Sequence, residues 1–252
     1  KRKIKEIRRQ NTKTVANLEQ EYDLTIHLAA NSGVDYCQNP ENRQEVLESN
    51  VGLTRRVCDI SDKVILLSTD YVFSGKPEDG EYKESDPVNP HNFYGETKAR
   101  AEKIVSENNG VVVRIESMFG VDNRTAVYLK EAINGNAPFP FRTNTYFRPS
   151  YFTDFLEVIK KLTSENHQGI FHLSCSGKAL NKAEMAEEML KAYREFSIPI
   201  KKDKFEIERF DKDLRFVLNT DRTREILNLP EFMDSKKAMR NHVLWEWKEK
   251  ES

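Results

Sequence analysis

The chain has 252 residues, 32% of them charged, and a formal net charge of -1, so it can bury one large core or a core with a smaller lobe. The balanced charge disfavours a nucleic-acid partner, and no apolar run approaches the roughly 20 residues that a membrane span needs. The three cysteines are widely spaced and form no C-x-x-C pair, which predicts unpaired thiols in a reducing cytoplasm and no metal site: Cys37, Cys58 and Cys175.

Residues 29–31 and a predicted helix at residues 43–60 come before the apolar run at residues 64–67. Ala29 and Ala30, followed by Asn31, end an apolar segment. Such small residues allow a ligand to approach the backbone closely, or allow a strand to pack tightly on a helix. A helix is predicted over residues 43–60, and it contains Asn50. On a buried helix face, that side chain can be a satisfied core amide or a support for a site.

The run Val64-Ile65-Leu66-Leu67 is the strongest strand signal, because consecutive apolar residues are typical of a parallel strand buried on both faces. It leads into Ser68-Thr69-Asp70-Tyr71-Val72-Phe73. Thr69 is therefore predicted at the carboxyl end of a strand, the edge where open α/β sheets place their chemistry.

A tyrosine and a lysine follow, four residues apart. The Pro-rich loop at residues 86–90 predicts a helix entrance, and the helix extends to about Asn108. The spacing places Tyr94 and Lys98 on one helix face. We expect the ammonium to lower the pKa of the phenol. Together with Thr69, the pair can exchange a proton with a carbinol oxygen while a cofactor moves hydride.

The rest of the chain alternates between strand and helix patterns, which predicts a parallel sheet. Residues 111–115 and 169–174 are predicted as buried strands, and His172 as a core histidine within the second. Two late helices are each predicted to have a capping residue, namely Asp154 before residues 155–163 and Asn181 before residues 182–196.

The two motifs together resemble the extended short-chain dehydrogenase/reductase superfamily, and within it the dTDP-4-dehydrorhamnose reductases. Ser68 to Gly75 matches their S-T-D-Y-V-F-x-G pattern, and Tyr94 to Lys98 matches Y-G-x-[ST]-K. The resemblance implies an α/β fold with a Rossmann-type doubly wound parallel sheet and a smaller C-terminal substrate lobe. It assigns residues 1–120 and 148–175 to a dinucleotide-binding domain, and residues 121–147 and 176–252 to the substrate-binding lobe.

The resemblance also implies roles for individual residues. The catalytic residues would be Thr69, which polarises the carbonyl, Tyr94, which donates the proton, and Lys98, which holds ribose hydroxyls. The residues that would bind NADP or NAD are Ala29, Ala30, Asn50, Ser68, Tyr94 and Lys98. The residues that would contact the substrate are Asn31, Asp70, Met118 and Arg148, and an ordinary ion pair is the competing interpretation of Arg148.

The amino-terminal part of the family pattern is incomplete. Residues 23–30 resemble the family's fourth strand, which makes residues 4–9 its third strand and residues 12–22 the helix between them. No glycine occurs before Gly33, so the glycine turn that holds a pyrophosphate in the resembled families is missing. We expect the sequence to begin partway through the native chain.

Met118 departs from the family pattern, because the reductases usually carry a sugar-packing Trp at this place. This difference bears on which sugar is the substrate more than on which reaction is catalysed. The regulatory β subunits of methionine adenosyltransferase share both motifs and also lack the Trp, so a non-catalytic binding subunit is the alternative. A sugar-nucleotide epimerase or dehydratase is disfavoured, because that branch usually reads S-S-x-x-V-Y-G.

The predicted activity is NAD(P)H-dependent reduction of the C4 keto group of a nucleoside-diphosphate 4-keto-6-deoxyhexose, for surface polysaccharide biosynthesis. The predicted partner is the nucleotide-sugar substrate, and the predicted location is the cytoplasm. Neither a nucleic acid nor a membrane is expected, and a homodimer is compatible with the sequence.

Overall fold

The computed structural model describes residues 21–76, 80–121, 124–135, 141–142, 144–200, 207–208 and 213–251. The strand predicted at residues 4–9 and most of the helix predicted at residues 12–22 lie outside these ranges.

Strands and helices alternate along the described residues. The strands are β1 Thr25–His27, β2 Val64–Thr69, β3 Val111–Ile115, β4 Met118–Phe119, β5 Phe141–Arg142, β6 Thr145–Tyr146, β7 Ser150–Tyr151, β8 Gly169–Leu173, β9 Ile207–Glu208 and β10 Leu214–Arg215. The helices are α1 Val34–Gln38, α2 Arg43–Leu47, α3 Leu53–Asp59, α4 Phe93–Glu107, α5 Arg124–Ile133, α6 Phe152–Ser164, α7 Lys182–Glu195, α8 Asp221–Leu227 and α9 Ser235–Glu251. Short 3₁₀ turns lie at Pro40–Asn42 and Asp70–Val72.

The main sheet has four strands in the order β1, β2, β3, β8. β1 and β2 run parallel, with Thr25 opposite Val64 and His27 opposite Leu66. Every residue of β2 except Leu67 is buried, as expected for a strand covered on both faces. The predicted buried strand and the predicted α/β class with a parallel sheet are confirmed.

The helix predicted over residues 43–60 forms as three consecutive pieces. Between α2 and α3 lies a single π-helical turn, Glu48–Gly52, in which the backbone N–H of Leu53 donates to the carbonyl of Glu48. π turns of this kind are rare and occur frequently at functional sites. The π turn contains Asn50, the residue for which the sequence predicts a role as a core amide or as a support for a site.

The two predicted helix caps differ in outcome. Asn181 caps α7, because its side chain accepts from the N–H of Glu184 while the Glu184 carboxylate accepts from the N–H of Asn181. The prediction for Asp154 was wrong. α6 begins at Phe152, which places Asp154 inside the first turn. Its carboxylate instead accepts from the backbone N–H of Met233 at 2.9 Å.

The described residues form two compact units. The first comprises the residues up to Ser74 with residues 87–113 and 167–170, and the second comprises residues 75–86, 114–166 and 171–252. The assignment of a dinucleotide-binding domain and a substrate-binding lobe stays a prediction, because contacts within a unit do not show what the unit binds.

In the first unit, α3 packs against α4 and α4 packs against β2. Their facing side chains form one apolar core: Val57, Val64, Leu66, Ala101, Val105 and Val112. Burial of such aliphatic side chains contributes roughly 1.5–3 kcal/mol each. The core therefore holds the carboxyl end of β2 and the start of α4 in fixed positions relative to each other.

In the second unit, α7 and α9 pack against each other around a larger apolar core. His172 is fully buried in this unit, with Nδ1 facing the Asn219 carbonyl at 3.1 Å and Nε2 facing the Arg114 guanidinium at 3.3 Å. A carbonyl only accepts and a guanidinium only donates, so Nδ1 carries the proton. Burial lowers the pKa of His172 to about 3. The predicted core histidine is confirmed.

Gly95 allows α4 to approach the turn that follows β2. A Cβ at this position would lie 2.0 Å from the Tyr71 carbonyl oxygen and 2.9 Å from the Pro90 Cβ. We expect Gly95→Ala to push the start of α4 away and to lower the free energy of unfolding by about 1–3 kcal/mol. Chemical denaturation measures this loss. The matched control is Gly52→Ala, because a Cβ at that position would lie 3.9 Å from its nearest neighbour, the Leu47 carbonyl oxygen. Equal changes in the free energy of unfolding in the two variants would contradict the close approach at Gly95.

Candidate active site

β2 ends at Thr69, whose hydroxyl makes two hydrogen bonds. The Thr69 backbone is extended, and the chain then enters the 3₁₀ turn at Asp70–Val72. The Thr69 hydroxyl donates to the Asp70 carboxylate at 2.8 Å and accepts from the backbone N–H of Tyr71 at 3.3 Å. Because a hydroxyl has a single proton, its remaining lone pair is available only as an acceptor.

α4 presents the predicted tyrosine and lysine in its first turns. Asn92 caps this helix, since its side-chain oxygen accepts from the Gly95 N–H at 2.8 Å. Tyr94 and Lys98 follow one turn apart on the face that includes the buried Glu102 another turn later. The structure thus brings Thr69, Tyr94 and Lys98 into one unit around the carboxyl end of β2.

Tyr94 is partly exposed at the surface of this site, and its ring meets Tyr71 edge to face with centroids 6.3 Å apart. Burial raises the pKa of Tyr94 well above its ordinary value, and the Asp70 carboxylate raises it further. A hydrogen bond with the Thr69 hydroxyl acts in the opposite direction. The expectation that Lys98 lowers this pKa was wrong here, because desolvation outweighs other influences and Asp70 is the strongest neighbouring charge.

Lys98 is only 3% exposed. Its ammonium donates to the backbone carbonyl of Leu67, in β2, at 2.7 Å. Burial lowers the pKa of Lys98 to about 8, and the charge of Glu102 partly offsets this effect. The Leu67 carbonyl accepts one of the three N–H groups of the ammonium, which directs the side chain to the end of the strand.

Asp70 is a buried carboxyl, 8% exposed. Burial raises its pKa to about 7, although the hydrogen bonds from the Thr69 hydroxyl and from the backbone N–H groups of Asp70 and Tyr71 oppose the shift. Its charge therefore changes near neutral pH, next to the hydroxyl and the phenol.

Asn50 fastens the loop after β1 to α4. Its amide nitrogen donates to the Asn31 carbonyl at 3.1 Å and to the Thr97 hydroxyl at 3.0 Å, and its oxygen accepts from the Asn31 N–H at 2.6 Å and from Ser49 at 3.1 Å. The side chain is 1% exposed. Both amide protons are bonded within the protein, so the structure favours a supporting role over the predicted cofactor contact.

The sequence matches the family model described as the RmlD substrate binding domain over residues 2–238. The chain belongs to this family.

Three relatives are similar in sequence. The probable low-salt glycan biosynthesis reductase Agl14 of Haloferax volcanii is 29% identical over 191 residues, which cover 71% of this chain and 63% of that protein. The spore coat polysaccharide biosynthesis protein SpsK of Bacillus subtilis is 28% identical over 62% of this chain and 56% of that protein. Methionine adenosyltransferase 2 subunit beta of Bos taurus is 29% identical over 64% of this chain and 52% of that protein. The chain thus spans about half to two thirds of their lengths.

Solved structures share the fold. The dTDP-4-dehydrorhamnose reductase of Bacillus anthracis, in complex with NADP, has a TM-score of 0.76 and 19% identity over 92% of this chain and 83% of that chain. The UDP-glucuronic acid 4-epimerase of Bacillus cereus, in complex with NAD, has a TM-score of 0.74 and 15% identity over 95% of this chain and 80% of that chain. Both likenesses support the Rossmann-type architecture of the RmlD-family chain.

Two of the predicted cofactor-binding residues lie at the carboxyl end of β1. Ala29 is exposed and Ala30 is partly exposed, as is the substrate candidate Asn31. Methyl side chains there leave the backbone accessible to a flat ligand. Ser68, another predicted cofactor-binding residue, is buried, and its hydroxyl donates to the Glu102 carboxylate. The structure therefore turns Ser68 towards α4.

Sequence reasoning missed Glu102. It is 4% exposed and bonded to Ser68, and it lies one helical turn after Lys98. The signal was present in the sequence, because Tyr94, Lys98 and Glu102 are spaced i, i+4, i+8. A charged residue is mostly solvent-exposed in helices, which is why the spacing alone did not single it out.

The other two substrate candidates belong to the second unit. Met118, in β4, is partly exposed and pairs with Ser150 of β7. Arg148 donates to the Leu218 carbonyl at 2.7 Å and forms an ion pair with Glu81 at 3.1 Å. These contacts match the competing interpretation of Arg148 as an ordinary ion pair.

Glu116, two residues before Met118, has a structural role in the second unit. It is 2% exposed, and its Oε1 accepts from the Ser174 hydroxyl at 2.9 Å and from the backbone N–H of Leu218 at 3.2 Å. The carboxylate therefore joins the segment after β3 to the segments after β8 and β10.

Within the described residues, His, Cys, Asp and Glu side chains form no group that could hold a metal ion. No helix in the same part of the chain has the length and apolar character needed to cross a membrane.

Proposed function

We propose that this RmlD-family chain is part of an NAD(P)H-dependent reductase that acts on the C4 keto group of a nucleoside-diphosphate 4-keto-6-deoxyhexose. The observation that carries the proposal is the meeting of a hydroxyl, a phenol and an ammonium at the carboxyl end of β2, contributed by Thr69, Tyr94 and Lys98. Relatives named as reductases support the proposal. The enzyme would act in the cytoplasm, and its product would be used for surface polysaccharides.

The described residues fit a nicotinamide cofactor. Ala29 and Ala30 have small side chains and are at least partly exposed just after β1. The Lys98 ammonium lies near the carboxyl end of β2, where it donates to the Leu67 carbonyl. Lys98 would hold ribose hydroxyls, and Tyr94 would lie beside the nicotinamide. The bound cofactor would supply hydride, and solved structures of similar fold contain NADP or NAD.

Tyr94 is the proton donor in this proposal. Its raised pKa keeps the phenol protonated over the physiological range, which suits a general acid in a reduction. The phenol gives its proton to the oxygen that becomes negatively charged as the carbonyl is reduced. Loss of that proton leaves a phenolate, which must regain a proton before the next turnover.

Thr69 orients the carbonyl oxygen, and Asp70 controls how it does so. While Asp70 is ionised, its carboxylate accepts a hydrogen bond from the Thr69 hydroxyl at 2.8 Å, so that hydroxyl proton is not available to the substrate carbonyl. Protonation of Asp70 weakens that acceptor and releases the Thr69 proton for the substrate carbonyl. The proposal therefore predicts that carbonyl polarisation depends on the charge of Asp70.

A second candidate is a non-catalytic regulatory subunit. The observation that favours it is the similarity to methionine adenosyltransferase 2 subunit beta from several vertebrates, at 27–29% identity. In that case the same residues would hold a dinucleotide without turnover.

One experiment separates the candidates. The full-length protein is supplied with NADPH or NADH and a panel of nucleoside-diphosphate 4-keto-6-deoxyhexoses, and cofactor oxidation is followed by absorbance. The reductase proposal expects sugar-dependent oxidation by at least one member of the panel. Absence of turnover with every sugar, together with capture of a purified methionine adenosyltransferase catalytic subunit, would establish the second candidate instead.

A further inference from the structure

Glu102 is a buried carboxylate at the back of the site. It lies on α4, one turn after Lys98, and both side chains are almost fully buried, at 4% and 3% exposure. Its Oε1 accepts from the Ser68 hydroxyl, in β2. A buried charge is costly unless a partner compensates it. The carboxylate and the ammonium can each compensate the other.

The charge of Glu102 acts on Lys98 against the effect of burial. Desolvation lowers the pKa of Lys98 to about 8, and Glu102 is the charge that raises it. Without that carboxylate, burial alone would remove the proton from the ammonium at a lower pH. A neutral amine is a weaker hydrogen-bond donor to ribose hydroxyls than an ammonium.

We propose that Glu102 is a positioning residue for Lys98, whose buried carboxylate keeps the lysine charged and ties α4 to the residue before Thr69. The consequence for turnover rests on the proposed function. The electrostatic link between Glu102 and Lys98 does not, because it can be measured without substrate or cofactor.

The other titratable groups near Lys98 have pKa values that differ from that of Lys98, so its titration can be followed separately. Burial, together with the charge of Lys98, lowers the pKa of His27 in β1 to about 4, so this ring is neutral above pH 6. From β2, Lys98 meets the Leu67 carbonyl. On its own helix, Tyr94 has a pKa raised above its ordinary value. In the turn after β2, Asp70 titrates near pH 7 and is not among the charges that shift Lys98.

The test is the titration of Lys98 by NMR in protein carrying isotope-labelled lysine, with the resonance assigned from its absence in Lys98→Ala. The wild type should titrate near pH 8. Glu102→Gln keeps an oxygen that accepts from Ser68 but removes the charge, so the midpoint should fall by at least about one unit. The alkaline limb of NADPH-dependent turnover should move down with it.

Ser68→Ala is the matched control, because it removes the same hydrogen bond and keeps the charge. A midpoint unchanged from the wild type in this control supports the proposal. An unchanged midpoint in Glu102→Gln, or an equal shift in Ser68→Ala, would overturn it. If Glu102→Gln fails to fold, Glu102→Asp is used instead. Its side chain is one methylene shorter, so the carboxylate lies farther from Lys98, and the Lys98 titration midpoint is expected to fall. An unchanged midpoint in that variant would equally overturn the proposal. A shifted midpoint in a protein without turnover would contradict the proposed function alone.

Discussion

Tyr94→Phe should abolish keto-sugar reduction while leaving cofactor affinity nearly unchanged. The variant removes the phenol proton and keeps the ring that packs against Tyr71 at a centroid distance of 6.3 Å. Loss of a general acid costs on the order of 10²–10⁴ in rate. The measurements are steady-state turnover and titration of NADPH by fluorescence.

The matched control is Tyr36→Phe. Tyr36 lies in the same unit, is 40% exposed, and uses its hydroxyl to donate to Glu45 at 2.7 Å. Removal of that exposed hydroxyl should leave both turnover and affinity at wild-type levels. Full activity in purified Tyr94→Phe would exclude Tyr94 as the proton donor.

Asp70→Asn should stabilise the protein at neutral and alkaline pH and change its pH dependence. The pKa of Asp70 is about 7 in the folded state, against about 3.9 in an unfolded chain. The folded state therefore binds more protons between these values, and the free energy of unfolding of the wild type should fall as pH rises from about 4 to 7. At pH 8 the Asn variant should be more stable by on the order of 2–4 kcal/mol, and near pH 4 the difference should largely vanish.

Urea denaturation across this pH range measures the effect, and Asp62→Asn, which changes an exposed carboxylate of the same unit, should retain the wild-type pH dependence. A pH dependence of Asp70→Asn identical to that of the wild type would show that Asp70 does not titrate in this window. In turnover, the same variant should lose the component of the pH profile that falls through pH 7, because the Thr69 proton no longer depends on an ionised neighbour.

The parts of the site that the sequence predicts are those with a local signal. The apolar run before Ser68 predicted a buried strand ending at Thr69, and the spacing of Tyr94 and Lys98 predicted one helix face. Both are confirmed, because strand burial and helix periodicity depend on neighbouring residues. The core histidine at His172 is confirmed for the same reason.

The features that failed or were missed depend on contacts distant in sequence. Helix spacing places Lys98 beside Tyr94 but does not report desolvation, so the predicted direction of the Tyr94 pKa shift was wrong. The buried Glu102 carboxylate is bonded to Ser68, which lies 34 residues earlier. The π turn that presents Asn50 involves an i→i+5 backbone hydrogen bond, and its residue pattern does not differ from that of an ordinary helix.

The most direct test of the proposed reaction follows the transferred hydrogen. The full-length protein is incubated with a nucleoside-diphosphate 4-keto-6-deoxyhexose and NADPH that carries deuterium at the transferred position, and the sugar product is analysed by mass spectrometry and NMR. The proposal predicts one deuterium at C4 of the sugar, in an amount equal to the NADP formed, and none with Tyr94→Phe. A sugar recovered without deuterium from protein that demonstrably binds NADPH would contradict reduction and favour the regulatory-subunit alternative.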